Sequence, residues 1–189
     1  LSVDYLTLSG HKFHAPKGVG ALFVRRGAPF TPLIHGGHQE RGRRGGTENV
    51  ALIAGLGAAA ELARQRQTCF ERIVRPLRDA LEQGILSTIP DTELNGHPER
   101  RLPNTTNLSF RGVESEALLL LLDQAGVCAS SGSACLADSD EPSHVVRAMK
   151  PEGAASRQMV RFSVGMENTA EQVSTAVRFV KDAVTALRG

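Results

Sequence analysis

Two side chains in this sequence have the types and settings of nucleophiles. Lys12 ends the run Ser9-Gly10-His11-Lys12, a polar turn that follows a strand-like stretch from Val3 to Leu8. Cys135 ends the run Ala129-Ser130-Ser131-Gly132-Ser133-Ala134-Cys135, whose small residues leave nothing bulky to shield the sulfur. A primary amine can attack a carbonyl-bearing cofactor and afterwards carry protons. A thiol acts as a nucleophile once it is deprotonated. Each group also has an ordinary role open to it. A lysine in a polar turn is usually a solvated charge, and a free cysteine is commonly a small buried hydrophobe.

The neighbours sharpen both readings. Ser9 and His11 can donate hydrogen bonds to an anion, and a turn after a strand leaves backbone N–H groups free for a phosphate. Asp138 and Asp140 follow Cys135 and mark an exposed loop, but acids do not lower a thiol pKa, so activation has to come from elsewhere. Cys128, directly after Val127, reads as a buried structural thiol, and Cys69 is undecided. Arg161, within Val160-Arg161-Phe162-Ser163, offers a planar guanidinium, the natural bidentate partner of a carboxylate. In a strand, an arginine is otherwise an outward-facing surface residue.

Several elements have to position these groups. Residues 3–8 and 19–25 read as two strands joined by the loop that bears Lys12, His14, Pro16 and Gly18. Two strands are not a stable sheet by themselves, so these must add to strands outside this sequence. Residues 35–47 form a loop rich in Gly and Arg. Its arginines are not interleaved with aromatics, which make up only 4% of the chain, so it does not read as a nucleic-acid surface.

Residues 50–63, apolar nearly all round, predict a buried helix. A second helix runs from about Phe70 to Leu86, with Pro76 as a kink or restart. Next come a strand at Thr106–Phe110, a helix at Glu114–Ala125, a strand at Val127–Ser130 and a short helix from near Pro142. A strand at Met159–Val164 precedes the last helix, which opens on the capping box Thr169-x-x-Gln172. This alternation predicts an α+β unit over 64–189, preceded at 1–63 by the end of an α/β domain.

Composition narrows the function classes. A net charge of +2 argues for neither nucleic acid nor a membrane surface, and no apolar run approaches the ~20 residues that span a bilayer. The three cysteines fit neither a disulfide framework nor a C-x-x-C metal site, so a reducing, cytoplasmic setting is expected and no resident metal. The first residues lack the basic start of a secretory signal. The chain opens without a methionine, directly on a strand pattern, as if inside a domain.

Four segments together resemble the pyridoxal phosphate-dependent cysteine desulfurases of the NifS/IscS type, in the class V aminotransferase family. They are Ser9-Gly10-His11-Lys12 with Pro16-Lys17-Gly18-Val19-Gly20, the loop from Gly36-Gly37 to Gly46-Thr47, Ser130 to Cys135 followed by Glu141-Pro142-Ser143-His144, and Arg161-Phe162-Ser163. The resemblance covers nearly the whole chain. It implies an α/β PLP-dependent transferase of fold type I (aspartate aminotransferase-like). Residues 1–63 would then be the C-terminal part of the large cofactor-binding domain with its linking helix, and 64–189 the small domain with the cysteine loop.

The resemblance also implies roles. Lys12, not Lys17, would carry the pyridoxal 5'-phosphate; Ser9 and His11 would contact its phosphate. Thr47 would reach the phosphate in the other subunit of a homodimer. Arg161 would hold the substrate carboxylate. Cys135 would take sulfur from L-cysteine as a persulfide, leaving L-alanine, and pass it to an iron–sulfur scaffold or other acceptor protein, with a transient iron–sulfur contact through Cys135. Pro76, the 150–158 loop and Met166-Glu167 depart from the family pattern, away from the chemistry. The family's N-terminal half, with the histidine stacked on the cofactor and the aspartate on its ring nitrogen, has no counterpart here, so the chain alone is expected to be inactive. Two other readings stand beside this one: a selenocysteine-lyase-like class V enzyme that does not need the thiol, and a non-catalytic truncated module for binding or dimerisation.

Overall fold

A glycine at each strand end lets the first two strands close on one another. Strand β1 (Tyr5–Ser9) pairs antiparallel with β2 (Gly20–Val24), with Tyr5 opposite Val24 and Ser9 opposite Gly20. A methyl group on Gly20 would lie 2.5 Å from the Leu8 carbonyl oxygen, and one on Gly10 2.7 Å from that of Val19. The computed structural model that shows this describes residues 2–132, 142–151 and 154–189. It divides into two units, Leu1–Thr68 and Cys69–Gly189.

In the first unit, the connection expected as a loop contains one turn of 3-10 helix, Gly10–Phe13, closed by His14 in the left-handed region (φ 69°). Short 3-10 pieces are common connectors. Here Gly10 N donates to Val19 O at 2.9 Å and Ala15 N to Gly10 O at 3.1 Å, which fixes the turn at both ends. Tyr5, Leu8, Leu22 and Phe23 are about half exposed on the ribbon. The Gly/Arg loop also contains a turn, α1 (Gln39–Gly42), but Glu40 and Arg41 are left-handed within it. Gly45 closes the loop: it donates to Ile34 O at 2.9 Å, and a methyl there would lie 2.7 Å from Gly36 N.

Where two helices were expected there is one, α2 (Val50–Thr88), with Pro76 inside it. The sequence Glu61-Leu62-Ala63-Arg64-Gln65-Arg66-Gln67 consists of strong helix formers, and Arg64 donates twice to Glu61, at 2.9 and 2.7 Å. That stretch carries the helix across the expected break. The expectation of a buried segment at 50–63 also fails. Val50, Ile53 and Leu62 are exposed, and Ala59 is the buried residue there. The segment packs against the Lys12 turn: a methyl on Gly55 would sit 3.0 Å from the Pro16 ring, and one on Gly10 3.1 Å from Leu56.

The second unit has an antiparallel sheet in the order β3-β4-β5, formed by β3 (Thr92–Leu94), β4 (Thr105–Phe110) and β5 (Met159–Ser163). Strand alternation sends Leu108, Phe110, Val160 and Phe162 into the core. They meet Val74, Leu81 and Ile85 of α2, Leu118 and Leu122 of α3 (Ser115–Gln124), and Val173, Val180 and Val184 of α5 (Ala170–Arg188). The capping box of Thr169 and Gln172 is present. Helix α4 (His144–Met149) starts on Ser143, whose hydroxyl accepts from Val146 N.

The expected strand at Val127–Ser130 is reduced to a single bridge between Ser130 and Arg161. The segment is used instead to stop α3. Gly126 is left-handed (φ 77°) and Val127 N donates back to Leu122 O at 2.8 Å.

One charge cluster lies in the second unit's interior. Glu82 of α2, 4% exposed, accepts from Arg101 at 2.6 Å and from the Thr106 hydroxyl at 2.5 Å. Burial pushes the Glu82 carboxyl up, but the hydrogen bonds from Arg101 and Thr106 and the charges of Arg101 and Arg78 outweigh it, so it sits below its ordinary value. A carboxylate with a depressed folded pKa stabilises the fold above its unfolded pKa, and that stability is lost as pH falls through the folded value. Glu82→Gln keeps the shape but strands Arg101, at a cost of about 3–5 kcal/mol near neutral pH. The gap in Tm between wild type and Glu82→Gln should shrink when pH is lowered from neutral to below the depressed folded pKa of Glu82, where the carboxyl is itself protonated. An equal gap at both pH values would contradict this role.

Candidate active site

Ser9, His11 and Lys12 are brought together by chain contiguity and held by the ribbon. All three side chains are exposed. Ser9 ends β1 opposite Gly20, and His11 and Lys12 sit on the 3-10 turn that Gly10 ties to Val19. The amine therefore stands on a stiff base while its side chain remains free to reach a ligand. Thr47 is exposed at the exit of the closed loop, directly after Gly46 (φ 101°). Within the first unit, this gives an amine, a hydroxyl and an imidazole on one turn and a second hydroxyl on the loop.

Arg161 belongs to the second unit. It is half-buried in β5 opposite Asn107, and its backbone is bridged to Ser130. The ion pairs among the described residues do not include it. Cys135, with Ser133, Ala134, Asp138, Asp140 and Glu141, lies outside the described residues. Cys128 overturns its expectation. It is exposed, because the Gly126 turn takes its segment out of the sheet. Cys69 is half-buried.

Asn95 and Asn107 were given no role by the sequence. The structure joins them, Asn95 Nδ2 donating to Asn107 Oδ1 at 2.8 Å beside Arg161. The signal for Asn107 was period two: with Ser109 it alternates against Leu108 and Phe110, which places both on the face away from the core. Among the described residues no cluster of His, Cys, Asp or Glu could hold a metal ion, and no helix is long and apolar enough to cross a membrane.

The family model described as aminotransferase class-V matches residues 1–175. The chain belongs to the class-V aminotransferase family. Among its relatives, cysteine desulfurase 2 of Trichormus variabilis is 53% identical over 187 residues, which cover 99% of this chain and 47% of the relative. A solved structure titled as a NifS-like protein superposes with a TM-score of 0.85 at 34% identity, over 98% of this chain and 47% of the other. The structure of SspA in complex with cysteine matches with a TM-score of 0.61 at 34% identity, over 88% of this chain and 45% of that one. This class-V aminotransferase chain thus spans about half the length of the relatives it matches. Its architecture is the type I fold of the PLP-dependent transferases, as the motifs implied.

The cofactor of class-V aminotransferases is pyridoxal phosphate, and the residues present fit it. The group needs an amine to bond its aldehyde and donors for its phosphate, and the Lys12 turn offers both within four residues. Gly10 cannot carry a side chain without striking Val19, so the turn keeps the close backbone path this donor set requires.

Proposed function

We propose that this chain is the lysine- and cysteine-bearing part of a cysteine desulfurase that converts L-cysteine to L-alanine and transfers the sulfur to Cys135. The observation that supports it most is the Lys12 turn, an exposed amine flanked by Ser9 and His11 on a glycine-pinned base, in a chain 53% identical to a cysteine desulfurase. The complex of SspA with cysteine supports the substrate class.

When bound, pyridoxal phosphate supplies an electron sink for the substrate carbons. Lys12 Nζ anchors it and, once released, moves protons to and from the substrate. Ser9 and His11 donate to its phosphate, and Thr47 donates to that of the partner subunit in a homodimer. Arg161 receives the substrate carboxylate in a charge-assisted pair. The Cys135 thiolate attacks the substrate sulfur: an S–S bond forms, the substrate C–S bond breaks, and its electron pair remains on carbon. Protonation of that carbon gives alanine, and Cys135 is left as a persulfide, one step up the thiol oxidation ladder. Such a sulfur passes by attack of an acceptor's thiol, on an iron–sulfur scaffold or another carrier, in a reducing cytoplasmic compartment.

A non-catalytic binding module is the second reading. Borohydride treatment of the cofactor-loaded protein, followed by peptide mapping, separates the two. A pyridoxyl label on Lys12 is expected. A label on Lys17 would overturn the assignment, and no label in the complete enzyme would favour the module.

A further inference from the structure

A row of polar side chains crosses the face of the second unit's sheet that points away from the core. Asn95 follows β3, Asn107 lies in β4 and Arg161 in β5, with Ser130 bridged beyond. The backbone sets the geometry of this row. Arg161 N donates to Ser130 O at 2.7 Å and Ser130 N to Arg161 O at 3.1 Å, so the main-chain groups of Arg161 face away from β4. Asn95 N donates to Asn107 O at 2.9 Å, so those of Asn107 face away from β5. Asn107 and Arg161 are opposite each other in register and form a non-hydrogen-bonded antiparallel pair. In such pairs the Cα atoms approach to about 4.5 Å and the two side chains share one face.

Asn107 therefore holds an acceptor beside the Arg161 stem, where it could capture the guanidinium. Its amide is already committed. Oδ1 accepts from Asn95 at 2.8 Å, and Nδ2 lies 3.2 Å from Met159 Sδ. Asn95 is 6% exposed and its Nδ2 also donates to Ser109 Oγ at 2.7 Å, while its own Oδ1 has no partner among the described residues. A buried amide that leaves its oxygen unsatisfied is oriented by its donor end. Glu93, the carboxylate of neighbouring β3, is likewise engaged, by Lys150 at 2.8 Å. Asn107 Oδ1, the acceptor directly opposite Arg161 in register, and the Glu93 carboxylate are thus both engaged by other donors.

We infer that Asn107, braced by Asn95, is a positioning residue for Arg161: it keeps the adjacent acceptor turned away, so the guanidinium stays open to a substrate carboxylate. The inference rests on the role proposed above for Arg161.

The test is a double-mutant cycle in the holoenzyme, reading KM and kcat for L-cysteine and, by calorimetry, the affinity for L-alanine. Arg161→Ala should raise KM by about ten- to a hundredfold. Asn107→Asp, nearly identical in shape, sets a carboxylate against the guanidinium. It should raise KM by about tenfold and weaken alanine binding equally, with kcat little changed. In the Arg161→Ala background Asn107→Asp should leave KM unmoved. Where Asn107→Asp does not fold, Asn107→Ser withdraws the brace and should raise KM several-fold, again only when Arg161 is present. An unchanged KM in these Asn107 variants, beside a raised one in Arg161→Ala, overturns the positioning role alone. So does a KM increase that persists without Arg161. An unchanged KM in Arg161→Ala overturns the carboxylate role and the inference with it.

Discussion

Replacing Lys12 with alanine is expected to end alanine formation while leaving the fold intact. The side chain is exposed, and the turn beneath it is held by Gly10 and Val19 through the backbone, not by the amine. Removing it should change stability by less than about 0.5 kcal/mol. The chemical loss is twofold. No covalent anchor for the cofactor remains, and the proton carrier, a role worth about 10²–10⁴-fold by itself, is gone. Circular dichroism and an alanine assay on the same preparation check both halves. Turnover near the wild-type rate in a folded Lys12→Ala protein would remove Lys12 from the mechanism.

Cys135→Ser should stop sulfur transfer just as completely, for a different reason. Serine differs from cysteine by one atom, but its hydroxyl has no comparable tendency to ionise or to accept a sulfur. Cofactor loading should be preserved, since Ser9, His11 and Lys12 are untouched. Cys128→Ser supplies the control. That thiol is exposed, so its loss should cost less than about 0.5 kcal/mol and leave turnover unchanged. Equal alanine and sulfide production by wild type and Cys135→Ser would favour the thiol-independent, selenocysteine-lyase-like alternative.

The parts of the fold that were legible in the sequence are those with a local cause. The α5 capping box needs only Thr169 and Gln172, and β4 and β5 show alternation over several residues. Strand β3 was missed because three residues are too few to show a period. The strand expected at Val127–Ser130 lost to a helix stop at Gly126, and the break expected between residues 63 and 70 lost to the helix formers from Glu61 to Gln67. The reading of Cys128 as buried depended on that absent strand and fell with it. That Ser9, His11 and Lys12 share one turn was legible because they lie within four residues of one another. The place of Asn107 was not, because it depends on a cross-strand register with Arg161 that no local pattern encodes.

The central claim is that the sulfur of L-cysteine passes to Cys135. Mass spectrometry of the cofactor-loaded enzyme, trapped with an alkylating agent after a single turnover, addresses it directly. One added sulfur atom on the peptide containing Cys135, in amount equal to the alanine formed, is the predicted result. Alanine formed in full yield with no sulfur added to that peptide, or with the sulfur on Cys128 instead, would contradict it.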